Sequence, residues 1–139
     1  MEQRDRFQLK LESLITAITG FENSLNINLA EYNKEVSDVI KNGRIQKFQY
    51  SSELTWKAIK DYLYLFHSID AKSPKHSIKE FYLLKAISQE EYETLLNMLD
   101  DRNKLSHIYN EEYFDEIHSK LLGYLAVMKK VEKILKVKE

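Results

Sequence analysis

Apolar residues recur along this chain at alternating steps of three and four, the spacing of one face of an α-helix, and nowhere alternate with a period of two over several residues. Phe7, Leu11, Leu14, Ile18, Phe21 and Leu25 form the first stripe, flanked by Arg6, Lys10, Glu12 and Glu22, and predict a helix over residues 4–28. The pattern fades through Asn26-Ile27-Asn28 and resumes weakly at Leu29, Tyr32, Val36 and Val39, so residues 29–41 read as a partly helical connection. Gly43 then punctuates the chain before a second strong segment, residues 44–67. Its main face is Ile45, Phe48, Ser52, Thr55, Ile59, Leu63 and Phe66, while Tyr50, Leu54, Trp56 and Tyr62 spread apolar surface around the remainder. A helix apolar on more than one side belongs at the centre of a bundle or at a subunit interface.

Ser73-Pro74 holds the only proline, placed to start a short helix over residues 75–86 that offers Ile78, Phe81, Tyr82 and Leu84 for packing. Ser88 and Glu91 form a capping box before a helix carrying Tyr92, Leu95, Leu96 and Leu99. Asn110, followed by Glu111 and Glu112, suits the start of a final helix with the stripe Phe114, Ile117, Leu121, Tyr124 or Leu125, Met128, Val131 and Leu135. The expected fold is all-α: an up-and-down four-helix bundle with a short additional helix, in one domain spanning residues 1–139.

Composition narrows the chemistry. Only three Gly and one Pro interrupt 139 residues, as long helices require. The absence of Cys excludes disulfide scaffolds, thiolate zinc sites and thiol nucleophiles. The first ten residues lack the apolar core of a signal peptide, and no run approaches the roughly 18 apolar residues of a membrane span, so a cytoplasmic protein that does not enter membranes is the default. Twenty-one Lys and Arg against 22 Asp and Glu leave a net charge of -1, without the basic excess of proteins that grip nucleic acid along its backbone. Any contact with RNA must be confined, or completed by a partner.

One segment concentrates chemistry. Arg102-Asn103-Lys104-Leu105-Ser106-His107-Ile108-Tyr109 sets a permanent cation, a titratable imidazole and a phenol within about two helical turns. A guanidinium presents a planar fork to phosphate oxygens, and an imidazole exchanges protons near neutral pH. On a regular helix Arg102 and His107 are rotated apart by about 140°, so one straight helix does not focus both on one point. Either the helix ends before His107 or two copies meet across a symmetry axis. From the residues alone a plainer reading stands beside the chemical one: Arg102 pairs with Asp100, Asp101 or Glu112, and His107 caps a helix end.

Arg102-Asn103-x-x-x-His107-x-Tyr109 resembles the Arg-x-x-x-x-His-x-Tyr signature of HEPN-domain proteins, which are small helical bundles. Ile45 to Phe48 and Glu53 to Leu63 resemble one branch in particular, the nucleotidyltransferase substrate-binding proteins, encoded beside a minimal nucleotidyltransferase and often acting with it as toxin and antitoxin. The resemblance runs through residues 4–135 in helix order. It implies a homodimer whose two motifs face each other in a composite, metal-independent endoribonuclease site needing no cofactor. Carried over, His107 is the general acid or base, Arg102 stabilises the transition state, Asn103 binds substrate, and Tyr109 is the residue that the nucleotidyltransferase partner modifies with adenylate. A heterotetramer or larger assembly with that partner fits the same resemblance, as does a non-catalytic role in which this subunit presents RNA or nucleotide substrate to a separate nucleotidyltransferase.

The remaining conspicuous residues read as ordinary, with one exception. Trp56 suits packing, and His67, His76 and His118 have no metal-ligand spacing and suit surface or capping roles. Glu53 is the exception: a carboxylate among Tyr50, Leu54 and Trp56 needs a partner if buried, and Arg102 is the candidate.

Overall fold

A computed structural model of the chain describes residues 2–107 and 110–136. Among these residues there is no strand, and six helices follow one another: α1 (Gln3–Leu25), α2 (Lys34–His67), α3 (Pro74–Leu83), α4 (Gln89–Leu105), α5 (Glu111–His118) and α6 (Leu121–Lys136). The fold is the expected all-α bundle. Its long members are α1, α2, α4 and α6; α3 and α5 are short. α1 packs on α2 and α6, and α2 also meets α3, α4 and α6, which makes it the central helix.

The stripes read from the sequence supply the core. Phe7, Leu11, Leu14, Ile18 and Phe21 of α1 are buried against Phe48, Ile59 and Leu63 of α2, with Leu95, Met98 and Leu99 of α4 and Leu121, Met128, Val131 and Leu135 of α6 closing the same cluster. Phe48 stacks on Tyr124 with ring centroids 5.2 Å apart. Thr55 is buried with its hydroxyl donating to the Ser51 carbonyl at 2.7 Å, whereas the buried Ser52 hydroxyl has no hydrogen-bond partner among the described residues.

Local capping explains most boundaries. Ser73 accepts from the His76 N–H and Pro74 opens α3. The Ser88–Glu91 capping box opens α4 as expected. α3 stops at Leu83, three residues before the expected end, because Leu84 closes on the Glu80 carbonyl and Lys85 turns into the left-handed region at φ 61°.

Two further elements differ from the sequence reading. Gly43 does not interrupt the chain: α2 begins at Lys34, where the Asn33 side chain accepts from the Val36 N–H at 2.9 Å and Lys34 bridges Asp38 at 3.1 Å. A glycine costs a helix about 1 kcal/mol relative to alanine, too little to break one capped at its start and packed from Arg44 onward. The final helix, conversely, is two. The Ser119 hydroxyl donates to the Glu116 carbonyl at 2.6 Å and the Lys120 N–H closes on Ile117, so the chain tightens and turns before α6 starts at Leu121. Ile117 and Leu121 are both fully buried, which lets each short segment aim its own apolar residue inward. No described helix is long and apolar enough to cross a membrane.

Candidate functional site

α4 carries the motif to the surface and then stops. Its last helical residue is Leu105, Ser106 caps it, and the His107 N–H closes on the Lys104 carbonyl at 3.0 Å. The helix therefore ends before His107, and the rotation of about 140° expected of a regular helix does not apply. Arg102 is half-buried; Asn103 and His107 are exposed. Tyr109 and its neighbour Ile108 lie outside the described residues.

Arg102 is held from two sides. One terminal nitrogen, Nη2, donates to Glu53 Oε2 at 2.9 Å across the gap between α4 and α2, and Nη1 donates to Asn103 Oδ1 at 3.2 Å. Trp56 Nε1 donates to the same Glu53 carboxylate, at 3.2 Å to Oε1. Trp56 thus packs on the core, as its type suggests, and also steadies the acceptor that aims Arg102. The acidic residues nearest Arg102 in sequence are committed elsewhere: Asp100 pairs with Lys75 at 2.9 Å, and Asp101 faces α5 and α6. Two of the five guanidinium N–H donors are engaged among the described residues, by Glu53 and Asn103.

Sequence reasoning offers Asp101 only as a partner for Arg102 and misses its actual role. Only 4% exposed, it accepts from the Tyr113 hydroxyl at 3.2 Å, the Tyr124 hydroxyl and Lys120 Nζ at 3.3 Å, so it ties the end of α4 to α5 and α6. Burial and the Asp101 charge push the Tyr113 phenol up to about 12 and raise that of Tyr124 as well. Both phenols stay protonated at neutral pH and act as donors. The signal in the sequence is faint: Asp101 follows Met98 by three residues on a face that is otherwise apolar.

Arg44 also escapes the sequence reading. It is 6% exposed and donates from Nε to the Ser24 carbonyl and from Nη2 to the Ile27 carbonyl, both at 2.8 Å, satisfying acceptors at the end of α1. Its Nη1 faces His118 Nε2 at 3.3 Å. His118 stands in the last turn of α5, as a capping histidine does, and is also a half-buried partner of Arg44. Burial, then the Arg44 and Lys41 charges, hold its imidazole below the ordinary histidine value, and Asp115 pulls the other way.

Between these fixed points lies a groove of about 820 Å³. One wall is the first half of α2, through Lys34, Asp38, Lys41, Asn42, Ile45 and Gln49; the other is the end of α4 at Leu105 and Ser106 with Asn110, Glu111, Phe114 and Asp115 of the α5 region. Among the described residues no three His, Asp or Glu side chains gather as a metal site would require.

Comparison with known proteins adds a frame. The family model described as nucleotidyltransferase substrate binding protein like matches residues 9–137. A crystal structure of a protein from Thermus thermophilus superposes with a TM-score of 0.77 at 28% identity, covering 88% of this chain and 98% of that one. Curated proteins give no match.

Proposed function

The chain belongs to the nucleotidyltransferase substrate-binding-protein-like family, and from that premise we propose that it is the HEPN-type toxin subunit of a two-component system: a metal-independent endoribonuclease restrained by a minimal nucleotidyltransferase. In this reading residues 1–139 act as one domain, and two copies bring their α4 ends together in a shared cleft. The observation that carries it is the arrest of Arg102 by Glu53 at 2.9 Å and by Asn103 at 3.2 Å, at a helix end directly followed by the exposed His107. A guanidinium fixed by its own neighbours loses little further freedom when a phosphate arrives.

The chemistry follows from these groups. His107 takes the proton from a ribose 2′-hydroxyl as that oxygen attacks the adjacent phosphorus. The remaining donors of Arg102 stabilise charge on the phosphorane-like transition state. The His107 of the second copy protonates the departing 5′-oxygen, so a 2′,3′-cyclic phosphate and a 5′-hydroxyl end result. Asn103, whose oxygen is occupied by Arg102, offers its amide N–H groups to the substrate. Transfer of adenylate from ATP to the Tyr109 hydroxyl by the partner, with release of pyrophosphate, adds phosphate charge and bulk to the motif and blocks its function.

The test compares the purified protein before and after incubation with the nucleotidyltransferase and ATP. Cleavage of RNA is expected before and not after, with a mass increase on Tyr109. Full neutralisation with an unmodified Tyr109 contradicts the modification. No cleavage in either state contradicts the nuclease and favours the second reading, a non-catalytic subunit presenting substrate to the nucleotidyltransferase, which the family description supports.

A further inference from the structure

We propose that the groove between α2 and α5 is a subsite for a nucleobase bearing an exocyclic amino group, together with its ribose, in the same strand whose phosphate meets Arg102. The inference deepens the nuclease reading and rests on it.

Position comes first. The α2 positions that line the groove step along one face through Asp38, Asn42, Ile45 and Gln49, and the next residue in that series is Glu53, the partner of Arg102. Gln49 and Glu53 are one turn apart, about 6 Å along the axis. On the opposite side Leu105 and Ser106 line the groove and Arg102 lies one turn earlier on α4. The lining of the groove thus stops one helical turn short of Glu53 on α2 and of Arg102 on α4, within the reach of one nucleotide.

The lining suits a base and a sugar better than a phosphate. Ile45 is buried at the floor, and the half-buried Phe114 offers an aromatic face to stack on. Asn42 and Gln49 carry the paired donor and acceptor that read a base edge. Asp38, Glu111 and Asp115 supply acceptors for amino protons and ribose hydroxyls. Lys34 and Asp38 neutralise each other at 3.1 Å, which leaves Glu111 and Asp115 against Lys41, an excess of one negative charge. This acidic excess disfavours a phosphate inside the groove and leaves the phosphate to Arg102. The acceptor-rich wall matches adenine, cytosine and guanine, which donate from exocyclic amino groups, and suits uracil less well, because its one base-edge donor, N3–H, lies between two carbonyl oxygens. A volume of about 820 Å³ is ample for a nucleoside.

The experiment uses the full chain with His107→Ala, which leaves the groove untouched and prevents turnover. Fluorescence anisotropy is measured with labelled hexamers of adenylate and of uridylate at one fixed salt concentration. Adenylate is expected to bind about tenfold more tightly, and Gln49→Ala or Asn42→Ala, both at solvent-accessible positions, to erase that preference without lowering the melting temperature. Equal binding of the two hexamers, no binding of either, or a preference that survives both substitutions overturns the subsite. So does an unchanged preference in variants that instead lose the nucleotidyltransferase in a pull-down, because the groove is then a protein interface. The two readings separate cleanly: an intact adenylate preference in a wild-type protein that cleaves nothing sinks the nuclease alone, and cleavage without base preference sinks the subsite alone.

Discussion

Arg102 and Glu53, 49 residues apart in sequence, meet at 2.9 Å and join the end of α4 to the middle of the central helix α2. The carboxylate holds the guanidinium in place, and under the proposed nuclease function its negative charge also opposes the phosphate that Arg102 would bind. The two effects separate on substitution. Glu53→Gln is expected to tighten RNA binding, seen as a lower KM, while kcat falls about tenfold because a neutral amide oxygen holds the fork more weakly than a carboxylate. Both groups are partly exposed, so loss of the pair costs stability on the order of 1 kcal/mol or less. A variant with both constants unchanged refutes the aiming role, and steady-state kinetics on a defined RNA decides it.

Arg102→Lys separates charge from geometry. An ammonium keeps the positive charge and has no planar fork to bond Glu53 and a phosphate together. Cleavage should drop about a hundredfold with the folded structure retained; a drop of less than about twofold, read by the same kinetics alongside circular dichroism, contradicts the bidentate role.

Asp101 should matter for stability more than any surface ion pair. Replacing it by alanine leaves the buried Tyr124 hydroxyl, and the half-buried Tyr113 hydroxyl, without their acceptor, at a cost of about 2–3 kcal/mol by urea denaturation. Lys120→Ala, which removes only the more exposed donor, should cost less than about 1 kcal/mol. Equal effects of the two changes place the weight of the cluster on the lysine and contradict this ranking.

Ser52→Ala should be neutral or stabilising by up to about 1 kcal/mol, because the hydroxyl is fully buried without a partner among the described residues. A loss above about 1 kcal/mol in the same denaturation assay shows that the hydroxyl is satisfied.

The Arg44–His118 contact sets a pH dependence with a definite sign. His118 binds its proton less readily in the folded chain than at its ordinary value of 6.5, because of burial and the neighbouring cations. The unfolded chain therefore takes up more protons once the pH drops below about 6.5, and folded stability is lost from there down to the lowered folded value. Between about pH 7.5 and 5.5 the wild type should lose more stability than His118→Gln. Parallel losses in the two proteins contradict this assignment.

How far the sequence can be read depends on the range of the interaction. The Ser88–Glu91 box and the stripes of α1 and α4 are local patterns, and they appear where expected. Glu53 can be matched to Arg102 because a carboxylate on a mostly apolar helix needs a cation. The break between α5 and α6 is not legible. Its residues carry no helix-stopping signal stronger than Ser119, and Lys120 is drawn to Asp101, 19 residues earlier. Arg44 is equally silent, since its partners are the backbone carbonyls of Ser24 and Ile27, which no side-chain pattern announces. Gly43 misleads for the opposite reason: a residue that often ends helices sits inside one sustained by its cap and its packing.

The most direct measurement is cleavage of single-stranded RNA by the isolated protein in excess chelator, with wild type and His107→Ala assayed side by side and their association state followed by sedimentation. Wild type should cleave, and the variant should be at least about a hundredfold slower while sedimenting as the same dimer. Equal cleavage by the two proteins, or none by a wild type that is dimeric and unmodified, contradicts the assignment of this chain as a nuclease.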